Sequence, residues 1–176
     1  SVTFLELQSA FQNSENFYQG IISENVLSFL VDQAQSRGEK IVFTNGCFDL
    51  LHAGHIRYLK EAKKQGDRLI VAINDDLSVR RLKGDTRPIN GLQERMELVA
   101  SLTMVDWVIS FSEDTPYQLI CKLKPDVLVK GGDYQADQIV GSEAVLSWGG
   151  RVLALPYYSG YSTTSIVNQL KQDPVF

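Results

Sequence analysis

The chain has 176 residues, 44% of them apolar and 22% charged, and carries 17 Lys and Arg against 21 Asp and Glu, a net charge of −4. That length suits one compact domain with a core large enough to fold alone. No apolar run approaches the roughly eighteen residues that span a bilayer, and the acidic balance excludes a dedicated nucleic-acid binder. The imbalance is local: residues 1–36 hold no Lys or Arg and four acids (Glu6, Glu15, Glu24 and Asp32), which leaves residues 37–176 neutral. Without basic residues near its start, the amino-terminus is expected to be neither a secretory nor a mitochondrial signal. Two cysteines, Cys47 and Cys121, make no disulfide framework and fit a reducing compartment, so a cytoplasmic location is expected.

Residues 1–39 read as a helical arm packed on the main domain or on a second subunit. Phe4–Phe11 has a short helical pattern, and Asn13–Gly20 is polar. A second helix is expected where Ser23 supplies a cap, Val26, Leu27, Leu30, Val31 and Ala34 form an apolar face, and Gly38 supplies the stop. The main domain is expected over residues 40–176. There, short β-branched runs at Ile41–Thr44, Leu69–Ile73, Trp107–Phe111, Val127–Val129 and Val152–Leu155 alternate with amphipathic stretches. The runs are apolar on both faces, as in strands buried inside a parallel sheet. Helices are expected at Ile56–Gln65, at Leu92–Leu102, from Thr115 and Pro116, at 138–148 and at Thr163–Lys171. Five β–α units predict an α/β fold: a Rossmann-like, doubly wound, five-stranded parallel sheet with an N-terminal helical extension. Its ligands would bind beyond the carboxyl ends of the strands.

Neither GxGxxG nor GxxxxGK[ST] occurs, so a dinucleotide-binding unit and a P-loop are not indicated. The first strand of the main domain is followed instead by Asn45-Gly46-Cys47-Phe48-Asp49-Leu50-Leu51-His52-Ala53-Gly54-His55, which contains both of the chain's histidines. Three residues apart at a helix start, they would project from one face near its positive end and offer imidazole and backbone donors to phosphate oxygens. Two other readings stand beside this one: structural histidines, or a zinc site built from Cys47, Asp49, His52 and His55. Other strand ends carry residues suited to the same task. Arg80, Arg81, Lys83, Arg87 and Arg95 crowd the region after the second run, with Lys83-Gly84-Asp85 expected on a mobile loop. Arg80 and Arg81 read as solvated charges. Lys130-Gly131-Gly132-Asp133 follows the fourth run, where Asp133 suits ribose hydroxyls or the segment is a plain turn. Ser162-Thr163-Thr164 follows the fifth, either as a second anion site or as ordinary capping.

The stretch Gly46–His55, with Ser162-Thr163-Thr164, resembles the HxGH nucleotidyltransferases of the cytidylyltransferase-like group. Within that group it is most similar to the heptose 1-phosphate adenylyltransferase domain of lipopolysaccharide precursor synthesis. Gly66–Ala72, Arg81–Asp85, Val105–Val108, Glu113–Pro116 and Lys124–Tyr134 carry this similarity, which covers roughly residues 40–171. Relatives that use CTP have Arg-Thr-Glu-Gly before the Ser-Thr-Thr, whereas here Tyr158-Ser159-Gly160-Tyr161 stands there, which points away from cytidylyl transfer.

The resemblance implies attack by a sugar 1-phosphate, D-glycero-β-D-manno-heptose 1-phosphate, on the α-phosphorus of ATP. ADP-heptose and pyrophosphate would be the products. It implies that His52, His55 and Lys83 are catalytic, and that Asn45, Gly46, Cys47, Phe48, Arg95, Gly131, Asp133, Ser162, Thr163 and Thr164 bind the nucleotide. Asp49 and Arg87 would bind the sugar phosphate, with Asp49 alternatively near Mg²⁺. The Mg²⁺ would be carried by the phosphates, without direct protein ligands. A homodimer and a separate upstream sugar kinase are implied as partners, because the chain is too short to hold a kinase and reads as a stand-alone enzyme or an excised domain. Transfer to another phosphorylated sugar or alcohol, as in glycerol 3-phosphate cytidylyltransferase, and a non-catalytic nucleotide-binding module are the alternatives.

Overall fold

A computed structural model describes residues 20–132 and 135–156. The helices expected at Phe4–Phe11 and Thr163–Lys171 lie outside the described residues. Six parallel strands form one sheet: β1 (Gly20–Ile21), β2 (Ile41–Gly46), β3 (Arg68–Asn74), β4 (Trp107–Phe111), β5 (Val127–Gly131) and β6 (Arg151–Leu155). Their spatial order is β1-β4-β3-β2-β5-β6. Among the described residues the α-helices are α1 (Glu24–Ser36), α2 (Ala53–Lys63), α3 (Asp76–Lys83), α4 (Leu92–Ala100), α5 (Tyr117–Leu123) and α6 (Ser142–Ser147).

The expected five-stranded sheet is thus corrected to six strands. β1 lies in the segment read as a polar stretch and helical arm. It pairs Gly20 with Trp107 and Ile21 with Val108, too short a run for any periodicity to show. Next to it, Leu27, Val31 and Ala34 of α1 are fully buried in the core beside Phe43 and Ile120. A second correction concerns the basic region after β3. It is mainly helical: Asp75 caps α3 by accepting from the Ser78 amide at 2.7 Å, and Lys83 is the last residue of that helix. Gly84 then turns the chain at φ 93°, a left-handed conformation that suits glycine. The helix expected at 138–148 divides into a short 3₁₀ turn at Ala136–Gln138 followed by α6.

The strands alternate cleanly within their apolar runs. Ile41, Phe43, Ile70, Ala72, Trp107 and Ile109 face α1 and α5, while Val42, Leu69, Val71, Ile73 and Val108 face α2 and α4. Both faces are therefore dry, which is why the sequence shows unbroken apolar runs. Carboxylates anchor the amino ends of the strands. Asp67 accepts from the Lys40 amide at 2.7 Å, Asp126 from the Ile41 amide at 2.8 Å, and Asp106 from the Leu69 amide at 2.7 Å. Each acid precedes one strand and satisfies the first free amide beside a neighbouring one. Gly66-Asp67, Val105-Asp106 and Pro125-Asp126 are thus structural. At the carboxyl edge, by contrast, Asp49, Asp76 and Asp114 pair with arginines and Asp75 caps a helix.

The strand order reverses between β2 and β5, so the crevice for a ligand lies beyond their carboxyl ends. Pairing between β2 and β3 continues to Gly46↔Ile73, but pairing between β2 and β5 stops at Phe43↔Leu128. Tyr58 of α2 enters the gap, its hydroxyl 2.5 Å from Thr44 Oγ1 and donating to the Val129 carbonyl at 3.3 Å. Asp126→Ala removes the acceptor of the Ile41 amide and of Gln35. It should cost about 1–3 kcal/mol in urea unfolding and leave the chemistry at the opposite edge unchanged; an unaltered unfolding midpoint would contradict this role.

Candidate active site

Asn45 and Gly46 end β2, and the chain turns sharply at Phe48, a non-glycine residue at φ 46°. Such a conformation costs of order 1–3 kcal/mol and persists where the surroundings enforce it. The Phe48 ring is buried against His55, centroids 5.2 Å apart, and a Cβ on Gly46 would meet that ring at 3.0 Å. Gly46 therefore makes room for Phe48. Gly131 likewise makes room for Tyr58, whose ring lies 3.1 Å from where its Cβ would be.

His52 is the N-cap residue of α2, and His55 sits in the first turn. The two imidazoles stack, with centroids 3.8 Å apart and planes inclined by 24°. Burial holds His52 below the usual imidazole range. Burial, then the neighbouring His52 and Lys83, pushes His55 down to about 4. Both rings are therefore neutral at neutral pH, and the buried Nδ1 of His55 has no hydrogen-bond partner among the described residues. Neutral stacked rings can come this close, whereas two imidazolium ions would repel. They stand at a helix amino-terminus whose first amides lack intrahelical acceptors, a setting suited to an anion. Lys83 is exposed but near enough to act electrostatically on both His55 and Lys130.

Three expected ligand contacts have other duties. The Arg95 side chain is fully buried: it donates to the carbonyls of Cys47 at 2.6 Å, Asn74 at 2.8 Å and Asn90 at 3.0 Å, and pairs with Asp76 at 2.8 Å. These contacts commit all three of its nitrogens, so Arg95 positions the loops and does not reach a phosphate. Asp49 is buried. It pairs with Arg87 and accepts from the amides of Ile89 at 2.7 Å and Asn90 at 3.1 Å. Asp49 and Arg87, read as sugar-phosphate contacts, instead latch the 84–91 loop to the start of the site. The zinc reading fails for the same reason: Asp49 is committed to Arg87, and Cys47 Sγ faces Asn74 Oδ1 at 3.9 Å. No group of three or more metal-ligating side chains occurs among the described residues.

Arg81 pairs with Asp114 at the exposed surface, as a solvated charge would. Asp133, Ser162, Thr163 and Thr164 lie outside the described residues. Lys130, to which the sequence reading gave no role of its own, faces Asn45 across the gap between β2 and β5. Its position directly before Gly131-Gly132 at a strand end was the available signal.

A family model described as cytidylyltransferase-like matches residues 43–169, from β2 onward. The chain belongs to that family. Proteins similar to this chain include the bifunctional protein HldE of Hydrogenovibrio crunogenus, 55% identical over 98% of this chain and 36% of that protein. HldE of Coxiella burnetii is 53% identical over 97% and 36% respectively. The chain thus spans little more than a third of the length of these curated relatives. Among solved structures, the lipopolysaccharide core biosynthesis protein from Thermoplasma volcanium is 34% identical over 71% of this chain and all of its own, with a TM-score of 0.57. A pantoate-beta-alanine ligase from Francisella tularensis, complexed with beta-gamma ATP and beta-alanine, shares the fold. Its TM-score is 0.59 at 20% identity, over 88% of this chain and 78% of that one.

The imidazole environment sets a pH signature. Unfolded chain takes up the histidine protons below about 6.5, whereas folded His55 resists protonation down to about 4. Stability should therefore fall as pH drops through that window and be level above it. His55→Gln should flatten this acid limb in melting curves across the window; an unchanged slope would mean that His55 is not the buried neutral ring.

Proposed function

We propose that the chain is an adenylyltransferase domain that moves AMP from ATP onto a sugar 1-phosphate, specifically D-glycero-β-D-manno-heptose 1-phosphate, for lipopolysaccharide core synthesis. The observation that carries this reading is the stacked neutral pair His52–His55 at the start of α2. The pair lies where the strand order reverses, and Lys83 is within electrostatic reach. The heptose assignment draws on the resemblance of Arg81–Asp85 and Lys124–Tyr134 and on the 34% identical lipopolysaccharide core biosynthesis protein.

The chemistry asks little of a base. A phosphate-monoester oxygen is already ionised near neutral pH and attacks the α-phosphorus in line. The new O–P bond forms as the bond to the β-phosphate oxygen breaks, and pyrophosphate leaves with that electron pair. The protein aligns the reactants and stabilises charge on the α-phosphate and the departing pyrophosphate. His52 and His55 donate N–H groups to the α- and β-phosphates, and Lys83 closes over the α-phosphate. Asn45, Gly46, Cys47, Phe48, Gly131 and Asp133 frame the nucleoside, and Ser162, Thr163 and Thr164 hold the far end of the triphosphate. Mg²⁺ supplies charge neutralisation from the triphosphate itself. The site's described carboxylates, Asp49 and Asp76, are both paired with arginine and do not hold it. The same reading places the enzyme in the cytoplasm as a homodimer, with a sugar kinase upstream to make the 1-phosphate.

With ATP, Mg²⁺ and a panel of sugar 1-phosphates, pyrophosphate release should be strongest with the heptose phosphate and yield an ADP-sugar by mass. Preference for CTP with glycerol 3-phosphate, or nucleotide binding with no pyrophosphate released, would overturn the assignment. His52→Ala and His55→Ala should each lower kcat about a hundredfold or more, as for lost transition-state donors, with melting temperatures near wild type. Near-normal turnover in both variants would remove the imidazoles from the chemistry.

A further inference from the structure

Lys130 is the penultimate residue of β5, beside the gap that opens between β2 and β5. Extending the β2–β5 register past Phe43↔Leu128 sets Lys130 level with Asn45, but the strands have separated there and side chains fill the gap. The Lys130 ammonium lies 3.1 Å from Asn45 Oδ1 and 3.4 Å from the Asn45 carbonyl. Both partners are neutral oxygens, and Lys130 makes no ion pair among the described residues. The side chain is half-buried, and burial, opposed by the nearby Cys47 and aided by Lys83, holds its pKa below the usual lysine range.

An ammonium removed from water is normally offset by a carboxylate or another anion. Here the nearby charge is a second cation, Lys83, which also acts on His55. Lys83 of α3 thus acts electrostatically on both His55 of α2 and Lys130 of β5. Lys83 has no described carboxylate partner and Lys130 keeps its third N–H, so both ammonium groups have donor capacity that the described residues leave unmet, and the buried His55 Nδ1 beside them also lacks a hydrogen-bond partner. The arrangement lacks only negative charge.

We infer that Lys130 is a further phosphate-binding residue, its ammonium meeting an anionic oxygen of the bound nucleotide from the β5 side while His52, His55 and Lys83 meet it from the other. Identifying the anion as the triphosphate rests on the adenylyl-transfer reading. The contact itself rests on the geometry of the gap. The competing role is purely structural, with Lys130 tying β5 to Asn45, and charge separates the two roles. Lys130→Gln keeps a neutral donor for Asn45 and removes the ammonium, whereas Lys130→Met removes both.

The experiment is calorimetric binding of ATP and of inorganic pyrophosphate to wild type, K130Q and K130M, with melting temperatures and kcat/KM measured alongside. Both variants should bind ATP and pyrophosphate at least tenfold more weakly, with a shallower salt dependence, and melt near wild type. K130Q binding both anions as wild type does would overturn the proposal and leave Lys130 as a strand tie. If K130M does not fold, K130Q alone carries the comparison. A wild type that binds ATP but transfers nothing to sugar phosphates refutes the adenylyl-transfer reading while leaving the Lys130 comparison decisive. A wild type that binds neither anion refutes both.

Discussion

The carboxyl edge of the sheet depends on the buried guanidinium of Arg95. It reaches the carbonyl that follows β2, the carbonyl that ends β3, the carbonyl that precedes α4 and the first carboxylate of α3. His52, His55 and Lys83, three of the groups proposed to handle phosphate, hang from those points. Cys47 leads into the turn that carries His52 and His55. Asp76 begins the helix that ends in Lys83. Asn90 closes the loop that Asp49 and Arg87 latch in place. Removing one partner from a buried charged network of this kind is far more costly than losing a surface ion pair. A single side chain therefore sets the relative positions of groups that lie far apart in the sequence.

Charge along the strands follows the same logic. Asp67, Asp106 and Asp126 sit at the amino edge, where unpaired strand amides need acceptors. The carboxyl edge is held by arginines whose carboxylate partners are already committed, and it presents Lys83, Lys130 and two neutral imidazoles. Neutrality matters there. Burial strips His55 of its proton down to about 4, so the stacked rings escape the mutual repulsion of two cations. In the proposed reaction, a polyanion entering the crevice would meet dipoles already oriented, with the ammonium groups supplying the charge.

How legible this was in the sequence varied with the physics behind each feature. Runs such as Leu69–Ile73 announced buried parallel strands, because a strand covered on both faces has no polar positions. The two-residue β1 did not, since pairing decided by neighbouring strands leaves no pattern in so short a stretch. The helix α3 was hidden under its basic residues, although Asp75 before Ser78 was a usable cap signal. Asp49, Arg87 and Arg95 matched a charged ligand by residue type. Their partners turned out to be one another's loops, because an arginine suited to a phosphate is equally suited to a carbonyl or a carboxylate.

The order of β–α units, the HxGH spacing and the cation-rich strand ends were set by the sequence alone, because periodicity and local helix geometry are short-range. Which of the charged residues are taken up by protein partners was decided only by the tertiary structure. Burial and partner choice depend on chain segments tens of residues apart, and the same guanidinium or ammonium becomes a brace or a binding group according to whether a protein acceptor reaches it first.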